Sequence, residues 1–148
     1  MSKESLYQYC QHYVAQRIET ARTAMEAAQA SANEESKSSA GDKYETGRAM
    51  AQLERDRHAQ LLAEALRLRD DLARIDPDKK TETIQPGSLV ETDRGTFYIA
   101  LSIGKAVVNG RDYFLVSPAS PIAAAMAHRK AGASVSFNNV VYQIRAVH

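Results

Sequence analysis

In residues 1–76 the apolar positions recur at alternating steps of four and three. Val14, Ile18, Ala21, Met25, Ala28 and Ala32 form one series, and Leu61, Ala65, Leu68, Leu72 and Ile75 a second. That alternation is the seam of helices packed as a coiled coil. The polar segment Ser36-Lys37-Ser38-Ser39-Ala40-Gly41-Asp42 separates the two series. Neither helix buries its stripe alone, so the pattern predicts an antiparallel helical hairpin. Arms of about 30 residues would each run about 45 Å, a long thin projection.

The seam is uneven. Leu61, Leu62, Leu66, Leu68, Leu72 and Ile75 gather at the end of the second helix away from the turn. Near the turn stand Glu45, Arg48, Glu54, Arg55, Asp56 and Arg57, with only Met50 and Leu53 among them. In the first helix Tyr7, Tyr13, Val14 and Ile18 give way to alanines. The pattern predicts a firm base and a polar tip. Such a tip suits a probe entering an aqueous cavity, and equally any solvent-exposed hairpin end.

Past Asp76-Pro77-Asp78 the period changes. All four prolines, counting Pro77 itself, and most of the glycines lie from this point on, among Val, Tyr, Phe, Ile and Ser. Strands are expected over Ser88–Thr92, Thr96–Ile103, Asp112–Val116, Ser134–Phe137 and Val140–Val147, with turns at Gly95, Asn109-Gly110 and Asn138-Asn139. A helix is expected over Ser120–Arg129, with Pro121 in its first turn and Gly132 past its end. The fold class is α+β: a coiled-coil hairpin over 1–76, a linker over 77–85, and an antiparallel sheet with one helix over 86–148.

Composition narrows the function classes. The chain has 148 residues, 44% apolar and 25% charged, the balance of a globular protein. Nineteen Lys and Arg against 18 Asp and Glu leave a net charge of +1, which excludes a strongly basic nucleic-acid coat but allows a local basic stripe. No apolar run is long enough for a membrane span, and the opening MSKESLYQYC has no apolar signal stretch. A lone Cys10 excludes an internal disulfide framework and a multi-cysteine zinc site. A cytoplasmic protein with no membrane partner is expected.

The turn carries the chemistry. In Gly41-Asp42-Lys43-Tyr44-Glu45, Asp42 is placed to cap the second helix, with Glu45 reaching back as in a capping box. The same spacing holds two carboxylates together at the end of the hairpin. Two carboxylates do not enclose Mg²⁺ unaided, because the ion keeps waters or shares substrate phosphates. They would form half a metal site, completed by a partner with its own metal and phosphate chain.

The segment Ser39-Ala40-Gly41-Asp42-Lys43-Tyr44-Glu45-Thr46 resembles the Gly-Asp-Leu-Ser-Glu-Asn tip of the Gre family of bacterial transcript-cleavage and elongation factors, with both acids in register. Pro86-Gly87-Ser88-Leu89-Val90 resembles that family's opening strand in its second domain. Ser117-Pro118-Ala119-Ser120-Pro121-Ile122-Ala123, followed by Lys130-Ala131-Gly132, resembles its Ser-Pro-Ile-Gly/Ala and Lys-x-x-Gly signature. The resemblance spans nearly the whole chain in the family's order.

The resemblance implies a C-terminal domain of FKBP-like fold that docks at the mouth of the secondary channel of RNA polymerase. Ser117, Pro118, Ser120, Pro121 and Ile122 are the implied docking residues, and the hairpin enters the channel. Asp42 and Glu45 would then help hold a Mg²⁺ shared with the polymerase, which itself hydrolyses backtracked RNA on two-metal logic. On this reading the chain holds no stable cofactor and is an accessory factor, not an enzyme. Its partners are RNA polymerase and, by proximity, the nascent RNA 3′ end.

The departures from the family bear on the tip. Lys43-Tyr44 replaces Leu-Ser and Thr46 replaces Asn. Lys43 sets a cation beside the carboxylates and weakens their hold on Mg²⁺, while Tyr44 offers a ring for stacking on a base. The alternative is therefore a non-cleaving regulator or inhibitor in the same channel. Lys37, Arg48, Arg55 and Arg57 form either a basic patch that guides RNA, with weak contact to nucleic acid in general, or a solvated face paired with acids such as Asp56.

Three further readings are weaker. His12, His58, His128 and His148 lack metal-ligand spacing, and Cys10 reads as a packing residue. An FKBP-like fold raises prolyl isomerisation, but the chain has no Trp and only Phe97, Phe114 and Phe137 to line such a pocket. A purely structural coiled coil would dimerise through a continuous apolar repeat; the uneven seam argues against it, and a monomer is expected.

Overall fold

The computed structural model describes residues 2–37 and 41–148, and the side chains of 2, 35–37 and 41–45 fall outside the description. Two long helices, α1 (Ser2–Lys37) and α2 (Gly41–Ala73), precede six strands and one short helix. At 36 and 33 residues they would be about 54 Å and 50 Å long. The chain forms two compact units, His12–Asp70 and Met1–Gln11 with Asp71–His148.

In the first unit the helices form the expected hairpin. Val14, Ile18, Ala21 and Ala32 of α1 are buried, as is Ala65 of α2. Arg55 of α2 donates from Nη1 to Gln29 Oε1 of α1 at 3.2 Å. Polar groups thus occupy the seam where the sequence supplies only alanine opposite. One seam position differs from expectation. Leu61 is 41% exposed, and the inward line runs through half-buried Leu62 to Ala65. With leucines at both 61 and 62, the sequence alone does not fix which turns inward.

In the second unit the strands are β1 (Leu89–Thr92), β2 (Gly95–Ile99), β3 (Gly104–Val108), β4 (Arg111–Val116), β5 (Ser134–Phe137) and β6 (Val140–Val147). They form one sheet in the order β3-β4-β2-β1-β6-β5. The sheet is antiparallel except between β2 and β4, which run parallel. The single strand expected over Thr96–Ile103 ends at Ile99. Ile103 N bonds back to Leu101 O at 3.0 Å and Gly104 takes φ +97, so the chain turns and starts β3. The β3–β4 hairpin then reverses through Asn109 (φ 52) and Gly110 (φ 76), setting β4 beside β2 in the parallel sense.

The helix α3 (Pro121–Met126) has Ser120 at its N-cap and is shorter than the expected Ser120–Arg129. Its continuation is diverted into pairing with a distant segment. His128 takes φ 67 and donates to Ile84 O at 2.9 Å, while Ile84 N donates to Arg129 O at 2.9 Å. On the α3 side of the sheet, Ile84, Val90, Phe97, Ile99, Ala123, Met126, Val135 and Ile144 form the core. Phe97 stacks on Phe114 with centroids 5.3 Å apart and meets Tyr142 edge-on at 5.9 Å.

The opposite face carries Leu89, Tyr98 and Leu115, together with the helix residues of this unit. Leu6 and Cys10 are fully buried, and Leu72 and Ile75 nearly so. Tyr7 donates to Leu72 O at 3.0 Å, Lys3 Nζ to Lys79 O at 2.6 Å and to His148 O at 3.1 Å, and Asn109 to Ser5 Oγ at 3.1 Å. Burial pushes the Cys10 thiol up to about 12. It also raises the Tyr98 hydroxyl, with Cys10 and Tyr7 adding to the effect.

Candidate functional site

The sequence singles out two places, the hairpin turn and the segment around α3. The helix α2 opens at Gly41, so Asp42 and Glu45 lie in its first turn. The capping expectation for Asp42 and Glu45 falls on side chains outside the described residues. A three-residue separation within one turn sets two residues on neighbouring positions of a helix face. Beyond that backbone placement, the side chains of Asp42, Tyr44 and Glu45 lie outside the described residues.

The donor chemistry of the turn fits a hard cation in part. Two carboxylates and no soft ligand suit Mg²⁺, yet two donors fall short of its six-coordinate shell. Among the described residues no group of three or more His, Cys, Asp or Glu could hold a metal. Asp42 and Glu45 would contribute to an ion only alongside outside ligands.

The basic residues behind the turn are mostly engaged. Arg55 pairs with Asp56 as well as Gln29, and Arg57 Nη2 donates to Glu54 Oε2 at 2.6 Å. His58 stands 3.6 Å from the same Glu54 carboxylate. These contacts match a solvated, internally paired helix face. Arg48 is exposed, without a partner among the described residues. Met50 and Leu53 are 58% and 63% exposed, but Glu54 and Arg57 interrupt the line towards Leu61, so no continuous apolar seam lies there.

Around α3, the docking candidates divide between structure and surface. Ser120 Oγ donates to Ser117 O at 2.7 Å and accepts from Ala123 N at 3.4 Å, which locks the turn into the helix. Ile122 packs on the core. Pro118, Ala119 and Pro121 are exposed. The surface offered there is thus the two prolines, held by a turn that Ser117 and Ser120 build. Phe97 and Phe114 are committed to packing with one another.

No protein-family model matches the chain, and no curated protein matches it. Among solved structures, one described as the structure of the transcription factor Gfh1 is 19% identical and aligns over 93% of this chain and 92% of its own, with a TM-score of 0.36. A likeness of that size carries no argument of its own. No helix among the described residues is long and apolar enough to cross a membrane.

Proposed function

We propose that the chain is a transcription elongation factor that binds RNA polymerase, passes its hairpin into the secondary channel and stimulates cleavage of backtracked RNA. The carrying observation is the placement of Asp42 and Glu45 in the first turn of α2, at the closed end of a hairpin formed by helices of 36 and 33 residues. The Gre-like residues at the turn and around α3 give the reading its partner. A polar seam behind the turn is compatible with an aqueous channel, where an apolar tip would incur desolvation of channel walls and favour self-association.

Asp42 and Glu45 would bind a Mg²⁺ held jointly with the polymerase, and the ion when bound supplies Lewis acidity and an activated water. This chain's part is to carry two carboxylates to that place and hold their spacing through the helix. Pro118 and Pro121 would meet the polymerase surface on a turn fixed by Ser117 and Ser120. Arg48, free of partners among the described residues, is the cation available to an RNA phosphate; Arg55 would first have to leave Asp56.

Lys43 and Tyr44 favour a second reading, in which the same insertion regulates or inhibits without cleavage. The test is RNA shortening in a stalled, backtracked complex of the cognate polymerase. Faster Mg²⁺-dependent loss of the 3′ end supports the cleavage factor. Unchanged cleavage with displacement of a channel-binding factor supports the regulator. The absence of both effects would overturn both readings.

A further inference from the structure

The sheet face opposite α3 is only partly covered. Towards the Thr92–Gly95 turn it opens into a groove of about 460 Å³ lined by Leu89, Glu91, Thr92, Thr96, Arg111, Asp112, Tyr113 and Arg145. The strand registers bring its parts together. Glu91 pairs with Thr96 across β1 and β2, and Arg111 and Tyr113 share the same side of β4 as Leu115. Arg145 reaches the groove by a separate device. On β6, Ala146 pairs with Glu91 and Ile144 with Thr92, so Arg145 is the extra residue of a β-bulge. Tyr142 and Ile144 face the core before the bulge and Val147 after it. That change of parity is what one extra residue produces, and it leaves Arg145 on the groove side.

The charges of the groove are unequally committed. The Glu91 carboxylate stands 3.4 Å from His148 Nε2, and Asp112 stands 3.6 Å from Lys105 Nζ. Thr92 Oγ1 is held in the turn, donating to Gly95 O at 2.7 Å and accepting from Arg94 N at 3.1 Å. Arg111, Arg145 and the Thr96 hydroxyl have no partner among the described residues. Asp112 thus has a cation from outside the groove and Glu91 has the His148 ring beside it, and two guanidinium forks remain. Their strands are three ladder steps apart, about 14 Å between backbones. The floor of Leu89 and Tyr113 is 5% and 4% exposed, an apolar support beneath the charged rim.

We propose that this groove binds a small molecule bearing two anionic groups, phosphate or carboxylate, one held by Arg111 and the other by Arg145. Guanidinium forks match both oxyanions bidentately, and the Thr96 hydroxyl adds a donor between them. A cavity of this size holds a metabolite-sized ligand. The assignment rests on the sheet unit alone and is independent of the tip.

The test is an amide NMR titration of the full chain with inorganic triphosphate, citrate and orthophosphate. Saturable shifts centred on Thr96, Arg111, Tyr113 and Arg145 are expected with triphosphate or citrate, and the responding arm identifies the oxyanion. Orthophosphate should bind more weakly, having one group to offer. Arg111→Gln and Arg145→Gln should each weaken binding about tenfold or more, the worth of a charged hydrogen bond. Arg129→Gln, exposed outside the groove, should not. Both groove arginines are exposed, so the fold should persist; Arg145→Lys keeps the charge without the fork and should bind at intermediate strength if the bulge tolerates glutamine poorly. Shifts that fail to saturate, orthophosphate binding as tight as triphosphate, or an equal loss in Arg129→Gln would overturn the proposal.

Discussion

The two compact units are held together by different means. In the sheet unit, Val90, Met126 and Ile144 are 0–2% exposed within a continuous core, and even the helix residues Leu6 and Cys10 are sealed. In the hairpin unit the buried set runs from Val14 and Ile18 into Ala21, Ala32 and Ala65, and towards the turn an Arg55–Gln29 bond takes the place of apolar contact. Alanine and hydrogen-bonded polar groups remove little apolar surface from water. The contrast teaches where constraint lies: a sequence change in the sheet unit is felt as stability, whereas one near the turn is free to be selected for what it touches.

The contrast should break most visibly at Cys10. Burial raises its thiol to about 12, so at pH 9 the thiolate is depleted in the folded protein relative to the unfolded chain. Alkylation at that pH should therefore follow unfolding, and a fast native reaction would contradict the buried base. The sign of the linkage follows. A raised folded value favours the neutral thiol, so this contribution is whole below pH 9 and is lost as the pH climbs through about 12.

Met126→Ala should cost about 2–5 kcal/mol in urea unfolding, the range for emptying a sealed core site. Gly95→Ala comes next, at about 1–3 kcal/mol, because φ is +133 and a Cβ would lie 2.9 Å from the Phe114 ring. Tyr7→Phe removes the bond to Leu72 O and should cost about 1 kcal/mol. Leu53→Ala, at an exposed site near the turn, should stay within about 0.5 kcal/mol in the same assay. If Leu53→Ala rivalled Met126→Ala, the division between the units would be wrong.

Those same differences decide what could be read from sequence. The hairpin was legible because alternating steps of three and four are a local signal; only Leu61 and Leu62 exchanged places, both being apolar. The Asn-Gly and Asn-Asn turns were legible because positive φ selects those residues. β3 was missed because Gly104 and Lys105 begin it and Val107 faces solvent, leaving Ala106 as its one buried residue. The end of α3 is set by Ile84, about forty residues away, which no local pattern contains. The groove was invisible for a similar reason: four strands and a bulge assemble it. The turn acids rest on spacing and resemblance alone, since their side chains lie outside the described residues.

The central claim is that Asp42 and Glu45 act on the polymerase while the rest of the chain delivers them. It is tested most directly by Asp42→Asn with Glu45→Gln, assayed in parallel for polymerase binding and for cleavage of backtracked RNA. The account predicts binding close to that of the parent chain and loss of stimulated cleavage. Loss of binding in the double variant, or cleavage that survives it, would contradict the account.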